Sequence, residues 1–398
     1  MSLNQTAAPQ APVALTGPLI LLMSMATGLA VASNYYAQPL LATMATYFSL
    51  TVHQAGLIVT TAQLGYAVGL MFIVPLGDLV EQRKLIVVMT VLAALGLLLT
   101  GTASSMWAIV VGTALTGLFS VVAQILVPLS ATLAKPEERG RVVGILMSGL
   151  MLGILLARTL AGALAELGSW RTVYWVASIM MLVVAVMLWR GLPQHHQNAS
   201  MSYPKLLRSI VQLFVHEPVL RTRAILGGLA FANFSVLWTS IAFLLSSPAY
   251  GYSEFVIGLF GLIGVAGAIG ASKTGKLVDK GHAKYTTVFG FVVVMLSWLP
   301  IWWGQYALVP LLIGVFFLDL AVPAVHITNQ TMIYQTMPEA RGRLTAGYMT
   351  SYFIGGAVGS VVAGMAYQYG GWDGVALIGG VLSLLGVLWA LKHKALLG

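Results

Sequence analysis

The chain has no cysteine, and charged residues make up only 8% of its 398 residues. Without cysteine it can form neither disulfides nor thiolate metal sites. Soluble globular proteins usually contain about a quarter charged residues, so the composition, with 59% hydrophobic residues, excludes that class. Residues 1–15 contain no Lys or Arg, so we expect no cleaved signal peptide and no soluble N-terminal domain. The composition predicts a membrane protein.

Twelve apolar segments follow one another along the chain. A helix of about 20 apolar residues crosses the hydrocarbon core of a bilayer, and a helix is the only open-ended structure that satisfies its own backbone there. The sequence therefore predicts an all-α membrane protein with twelve transmembrane helices. The segments are 18–46, 53–76, 84–103, 106–133, 141–166, 171–190, 221–248, 254–275, 284–303, 307–333, 342–367 and 373–391.

The basic residues predict the orientation of these segments. Of the 20 Lys and Arg residues, 18 follow segments 2, 4, 6, 8, 10 and 12, and so lie on one side of the membrane. By the positive-inside rule this side, with both termini, is cytoplasmic. The net charge of +9 thus indicates topology and not nucleic-acid binding. The 18 residues are Arg83, Lys84, Lys135, Arg139, Arg141, Arg190, Lys205, Arg208, Arg221, Arg223, Lys273, Lys276, Lys280, Lys284, Arg341, Arg343, Lys392 and Lys394.

One stretch of the chain occurs twice. Pro136–Trp170 aligns without a gap with Pro338–Trp372, 202 residues later, and 11 of the 35 aligned positions are identical. A repeat of half the chain length in the same orientation predicts two parallel six-helix halves related by an axis along the membrane normal. We place the halves at residues 1–190 and 221–398, joined by a cytoplasmic linker at residues 191–220.

The linker contains a pattern typical of an amphipathic helix. Leu206, Leu207, Ile210 and Phe214 share one helical face, while Lys205 and Arg208 lie elsewhere. Such a helix would lie at the cytoplasmic membrane surface. A solvated linker explains the same residues equally well.

Two corresponding loops carry a motif. Segment 2 ends in Pro75-Leu-Gly-Asp78-Leu-Val-Glu81-Gln-Arg83-Lys84, and segment 8 ends in Gly275-Lys-Leu-Val-Asp279-Lys280-Gly281. Both resemble the G-x-L-x-D-R-x-G-R motif of the major facilitator superfamily. The resemblance implies a cytoplasmic gate in which these charges pair with neighbouring helix ends; the alternative is that they only fix the topology. The gate candidates are Asp78, Glu81, Arg83, Lys84, Asp279, Lys280, Arg139 and Arg341.

Segment 5 carries a second feature of that family. The stretch 149–162 resembles the glycine-rich antiporter motif of drug:proton exporters, with Ala157-Arg158 where the family has Gly-Pro. Small residues recur at Gly149, Gly153, Ala157 and Ala161. Their spacing of four predicts a smooth helix face that allows another helix to approach closely.

Two charged side chains lie well inside the predicted segments, Arg158 in segment 5 and Asp319 in segment 10. Because a charge in hydrocarbon is costly, each should face a cavity or a partner. Asp319 is the candidate proton carrier, and Arg158 is the candidate cation that exchanges with the proton or a cationic solute. The two could instead form a static ion pair, and Glu254 is a rival partner for Arg158. His326 could relay a proton or be an ordinary hydrogen-bonded interior histidine.

In the resembled family, spans 1, 4, 7 and 10 line a central cavity. Here these segments contain polar and aromatic residues that suit a mid-sized amphipathic or weakly cationic solute. Tyr and Trp residues also occur in interfacial belts, which is the alternative for the aromatic members. The cavity candidates are Asn34, Tyr35, Tyr36, Gln38, Gln124, Asn233, Phe234, Trp238, Asn329 and Gln330.

The resemblance implies a secondary transporter of the bacterial inner membrane, in the drug:proton antiporter or sugar (arabinose-like) efflux branch. It would couple proton entry to efflux of a small drug-like or sugar-like solute by alternating access. We expect the proton gradient as the energy source, no cofactor or metal, no nucleic acid, and a monomer surrounded by lipid. A proton symporter or an uncoupled facilitator is the alternative. A membrane enzyme is disfavoured because there is no nucleophile–base cluster, and a receptor or scaffold would need a soluble domain.

Overall fold

A computed structural model describes residues 15–196, 201–265, 267, 274, 277–278, 280–337 and 340–397. Every regular element within these ranges is helical. A π-helical turn and a 3-10 turn continue α3 as far as Asp78. The α-helices are α1 (Gly17–Ala32), α2 (Leu41–Phe48), α3 (Val52–Val68), α4 (Gln82–Thr102), α5 (Met106–Phe119), α6 (Ala123–Leu133), α7 (Arg139–Leu167), α8 (Trp170–Gly191), α9 (Tyr203–His216), α10 (Pro218–Leu245), α11 (Glu254–Leu259), α12 (Ala283–Trp303), α13 (Leu308–Thr336) and α14 (Arg341–Lys392).

Within the described ranges, nine continuous helical stretches are long and apolar enough to cross a membrane. The longest, α14, contains 52 residues and is interrupted at Gly371, whose φ of 57° is non-helical, so it covers predicted segments 11 and 12. Segments 1 and 8 correspond to shorter helices at Gly17–Ala32 and Glu254–Gly264. The all-helical membrane fold is confirmed, whereas the count of twelve crossings and the side of the termini stay predictions.

The sequence repeat is reflected in the positions where helices begin. Helix α7 begins at Arg139 and α14 begins at Arg341, which is the same offset of 202 residues. Trp170 begins α8, and its counterpart Trp372 follows directly on the break at Gly371. The buried apolar residues fall into two clusters, one drawn mostly from the first part of the chain and one from residues 226–397.

The small residues of segment 5 lie where α7 crosses α1. A methyl group added to Gly153 would overlap the backbone of Gly28, and one added to Gly149 would overlap Ser24. The Ser24 hydroxyl also donates a hydrogen bond to the carbonyl of Ile145 at 2.9 Å. The crossing thus needs glycine, as helix pairs in membranes commonly do.

Hydrogen bonds join the two parts of the molecule at one end, the closed end, and a cavity between them reaches Asp78 and Arg343 at the other, the open end. At the closed end the Thr43 hydroxyl donates to the carboxylate of Glu254, and the Thr159 hydroxyl donates to the carbonyl of Gly258 at 3.0 Å. The backbone N–H of His53 donates to Gln368 Oε1 at 3.4 Å. The open end carries the loops with the basic residues, which are predicted to be cytoplasmic.

Candidate functional site

A cavity of about 650 Å³ lies between the two parts of the molecule. Residues of α1, α3, α6 and α7 line one side, and residues of α10, α13 and α14 line the other. The cavity extends from Arg158 and Asp319 to Asp78, Gln82 and Arg343 at the open end. Its size and its mostly apolar wall with few polar groups are typical of small-molecule sites.

Trp238 contacts both of the buried charges at the inner end of this cavity. Its ring centroid is 3.9 Å from the guanidinium carbon of Arg158, and its indole N–H donates to Asp319 Oδ1 at 3.1 Å. The exposed fractions of Arg158 and Asp319 are only 2% and 3%. Among the described residues, the only ion pair within 4.0 Å joins Arg83 and Glu81. Arg158 therefore forms a direct ion pair with neither Asp319 nor Glu254 in this structure.

Arg158 is held mainly by aromatic rings. Its guanidinium carbon lies 4.9 Å from the ring centroid of Tyr35 and 5.3 Å from that of Phe234, in addition to Trp238. Its Nε–H donates to Gln38 Oε1 at 2.6 Å. Cation–π contacts of this kind stabilise a desolvated cation by about 2 kcal/mol. Its buried Nη2 has no hydrogen-bond acceptor among the described residues.

His326 lines the same cavity nearer the open end. Its Nδ1 shares a hydrogen bond of 3.0 Å with the Tyr348 hydroxyl. Its ring lies 4.6 Å from the ring of Tyr352, measured between centroids. It is thus a hydrogen-bonded interior histidine that also faces the cavity.

Four aromatic rings in two stacked pairs line the cavity, and none of them is among the cavity residues predicted from the sequence. Tyr66 stacks on Phe353 with ring centroids 4.2 Å apart, and Phe231 stacks on Tyr352 at 4.2 Å. The Tyr66–Phe353 pair joins α3 to α14 and therefore bridges the two parts of the molecule. We had drawn the lining only from segments 1, 4, 7 and 10. The spacing of Phe231, Phe234 and Trp238 along one helix face was the available signal.

The predicted cavity residues have several different positions. Gln124 lines the cavity and its amide donates to the Tyr66 hydroxyl at 3.4 Å. Gln38 and Trp238 do not line the cavity, but both contact Arg158, which does. Tyr36 is buried but does not line the cavity. Asn34 does not line it either, and its Nδ2 donates to the Ser120 hydroxyl at 3.0 Å. The remaining predicted residues that line the cavity are Tyr35, Phe234 and Gln330.

Asn233 lies outside the cavity lining, because neighbouring helices use its polar atoms. Its Oδ1 accepts hydrogen bonds from the indole N–H of Trp298 at 2.9 Å and from the Ser383 hydroxyl at 2.7 Å. Its Nδ2 donates to the carbonyl of Leu229 at 2.9 Å. These bonds connect α10 to α12 and α14.

Asn329 also lies outside the lining, and it contacts a third buried charge, Arg223. We had counted Arg223 among the loop cations, but it lies within α10 and is fully buried. Its guanidinium donates to Asn329 Oδ1 at 3.1 Å, to the Thr287 hydroxyl at 2.8 Å and to the carbonyl of Leu397 at 2.6 Å. Arg223 therefore cross-links helices instead of marking the membrane surface.

The predicted gate charges are not paired across helix ends in the part of the chain that is described. Asp78 lines the cavity mouth. Glu81 lies 3.8 Å from Arg83 Nε, within the same turn, and the Arg83 guanidinium lies 4.8 Å from the Trp189 ring. Asp279 lies outside the described residues. The other gate candidates are exposed, namely Lys84, Arg139, Lys280 and Arg341.

The described residues contain no group of three or more His, Asp or Glu side chains that could hold a metal ion. The side chains that line the cavity offer hydrogen bonding, charge and aromatic contact.

Comparison with known proteins assigns the family. The model of the Major Facilitator Superfamily matches residues 23–309 and 274–395. The uncharacterized transporter YgaY of Escherichia coli O157:H7 is 61% identical over 382 residues, which cover 96% of this chain and 97% of that protein. A Helicobacter pylori protein named "Probable sugar efflux transporter" is 21% identical, covering 88% of each chain.

The structure also resembles a solved one. This is a bacterial homologue of the human lysosomal transporter Spinster, in an inward-facing and unoccupied conformation. It has a TM-score of 0.80, covering 95% of this chain and 96% of that one. At 14% identity this similarity shows a common fold alone. Together with the family match, it supports one conclusion: this chain belongs to the major facilitator superfamily and is a multi-pass membrane transport protein, not an enzyme.

Proposed function

We propose that this protein is a proton-coupled exporter of a mid-sized amphipathic solute, in the bacterial inner membrane, with Asp319 as the proton carrier. The observation that carries the proposal is the position of Asp319 at the inner end of the cavity, bonded to Trp238 and without a direct ion pair among the described residues. A carboxyl group in this position can gain or lose a proton without breaking a salt bridge.

The coupling would follow from competition at one carboxylate. Ionised Asp319 accepts hydrogen bonds from the hydroxyl or amino groups of a solute. A proton on Asp319 removes the negative charge and turns one of the two oxygens into a donor, so these solute groups bind more weakly. Arg158 keeps its charge throughout. The inner end of the cavity is thus neutral with a neutral solute bound to ionised Asp319, and positive with the proton bound. The inside-negative membrane potential favours inward passage of the proton-bound state.

The closed and open ends support alternating access around this site. The cavity is open at the end of the basic loops, while Thr43–Glu254 and Thr159–Gly258 hold the other end closed. Opening the closed end would require these hydrogen bonds to break and the Tyr66–Phe353 stack to separate.

Two similarities favour the direction of export. The stretch 149–162 resembles the antiporter motif of drug:proton exporters. The Helicobacter pylori relative is named as a sugar efflux transporter. A neutral or weakly cationic solute with hydroxyl or amino groups fits an acceptor carboxylate flanked by aromatic rings.

The test is accumulation of a panel of sugars and drugs in an efflux-deficient bacterial strain. We expect the intact protein to lower accumulation of at least one compound only while the proton gradient is present, and Asp319→Asn to abolish this effect. The matched control is Asp373→Asn, which neutralises an exposed carboxylate outside the cavity and should export normally. Gradient-dependent export by Asp319→Asn would refute the assigned proton site, and export without a gradient would refute coupling.

One observation favours a second candidate, symport of a proton with an organic anion. The buried Nη2 of Arg158 has no acceptor among the described residues, although Arg158 lines the cavity. An anion would bind there best while Asp319 is protonated, so that the proton and the anion bind together and not in competition. In proteoliposomes, solute moving down its gradient would change the lumenal pH in opposite directions for antiport and symport.

A further inference from the structure

The linker helix α9 has an inner face that forms part of the cavity mouth. Leu206 and Ile210 lie on this face, are buried, and line the cavity. Ile210 and Phe214 pack against Gly347 of α14. A methyl group added to Gly347 would lie only 2.7 Å from the Phe214 ring. A shift of α9 would therefore change the opening of the cavity.

Contacts to both parts of the molecule hold α9 in place. At its beginning the Tyr203 hydroxyl donates to the carbonyl of Phe72, in the continuation of α3, at 2.7 Å. At its end Arg221, in α10, donates to the carbonyls of Phe214 and Val215. Helix α9 thus spans the boundary that must move during alternating access.

The outer face of α9 combines exposed cations with exposed apolar side chains. Lys205 and Arg208 are exposed, and Val211 and Val215 have exposed fractions of 52% and 61%. The helix contains no Asp or Glu, and no described carboxylate lies within 4.0 Å of either cation. A helix with cations beside exposed apolar groups is typical of one lying at an anionic membrane surface.

We propose that α9 binds the anionic phospholipid headgroups of the cytoplasmic leaflet through Lys205 and Arg208, and that this binding sets the position of Leu206 and Ile210 at the cavity mouth. The exposed valines insert among the acyl chains while the cations contact phosphate. Because α9 is a single helix of 14 residues, a force on its outer face moves its inner face as well. The inference concerns a surface outside the transport site and does not depend on the solute.

The absence of native cysteine makes a direct test simple. A single reporter cysteine, Val127→Cys, is placed on the cavity lining of the full-length protein. Its alkylation rate is compared in vesicles of phosphatidylcholine and in vesicles that also contain phosphatidylglycerol. We expect the anionic lipid to change the rate about fivefold. The change should disappear in the double variant Lys205→Gln/Arg208→Gln and shrink at high salt.

The matched control is Lys392→Gln/Lys394→Gln, which removes two exposed cations near the C-terminus and leaves α9 unchanged. It should keep the full lipid dependence. An equal loss in both double variants would overturn the proposal in favour of a general surface-charge effect. A rate that never depends on the lipid would show that α9 is a solvated linker. Gel-filtration elution shows whether each variant is folded, and binding of fluorescent phosphatidylglycerol measures the same interaction without the reporter.

Discussion

Trp238 donates its indole N–H to Asp319 at 3.1 Å, and the two side chains are almost fully buried. Trp238 also contacts Arg158, because the guanidinium carbon of Arg158 lies 3.9 Å from the centroid of the Trp238 ring. One side chain therefore connects the two charges of the site through a hydrogen bond and a cation–π contact. This arrangement avoids the direct ion pair, in which one charge would hold the other in place.

The two contacts of Trp238 can be separated by mutation. Trp238→Phe keeps a ring beside Arg158 but removes the N–H donor to Asp319, so we expect transport with weakened dependence on the proton gradient and near-normal thermal stability. Trp238→Ala removes both contacts and a large buried side chain, and should lower the free energy of unfolding by about 3–5 kcal/mol. Thermal unfolding in detergent and vesicle transport measure the two effects. Equal behaviour of both variants would contradict this division.

The crossing of α1 and α7 predicts a strong effect of a very small substitution. Gly153→Ala places a methyl group against the backbone of Gly28 and should cost about 1–3 kcal/mol of stability. Gly144→Ala is the control on the same helix, because a methyl group there meets nothing within 4 Å. It should be neutral or slightly stabilising, since alanine favours helix over glycine. Thermal unfolding of both purified variants decides, and equal unfolding temperatures would refute the tight crossing.

The closed end of the transporter should depend on the Thr43–Glu254 hydrogen bond. Thr43→Val removes the donor to a carboxylate, a bond that contributes about 1.5–3 kcal/mol, so the population open at that end should rise. A single cysteine in place of Ser360, which is fully buried and packs against Gly56 of α3, would then be alkylated faster by a membrane-impermeant reagent. The control is Thr46→Val on the same helix, where the hydroxyl bonds only to the carbonyl of Ala42. Unchanged labelling in Thr43→Val would show that this bond does not hold the end closed.

The buried arginines should differ in their effects. Arg223→Gln removes charged donors to Thr287, Asn329 and the Leu397 carbonyl, and should lower the free energy of unfolding by about 3 kcal/mol or more. Arg223→Lys should not rescue it, because an ammonium group cannot reproduce the planar set of donors. Arg190→Gln is the control, because it removes an exposed arginine at the end of α8, and it should be nearly neutral. Thermal unfolding measures all three, and a stable Arg223→Gln would contradict the cross-linking role.

Much of the fold could be predicted because its causes are local in the sequence. A long apolar segment must be helical in a bilayer whatever its neighbours are. The repeated turn before Arg139 and Arg341 begins a helix at both places. The ends of the short helices α1 and α11 were harder to predict, because the sequence stays apolar beyond the residue at which each α-helix ends.

The candidate site was predictable only in part. Arg158 and Asp319 were singled out because a charge within an apolar segment must be enclosed wherever that segment packs. Asn233 and Asn329 were predicted to line the cavity because their helices contribute to it. Both side chains instead bond to neighbouring helices. The direction of a polar side chain depends on the rotation of its helix, which polarity alone does not reveal.

The sequence by itself determined that this protein is a helical membrane protein with an internal repeat and two charges inside its apolar segments, and its motifs implied a transporter by resemblance. Segment length and the cost of charge in hydrocarbon are properties of single helices, and the repeat is visible in the alignment alone. Only the tertiary structure decided that Trp238 contacts both Arg158 and Asp319 and that Arg223 lies in the interior. These facts depend on how helices distant in sequence cross and rotate against each other, and no single segment encodes them.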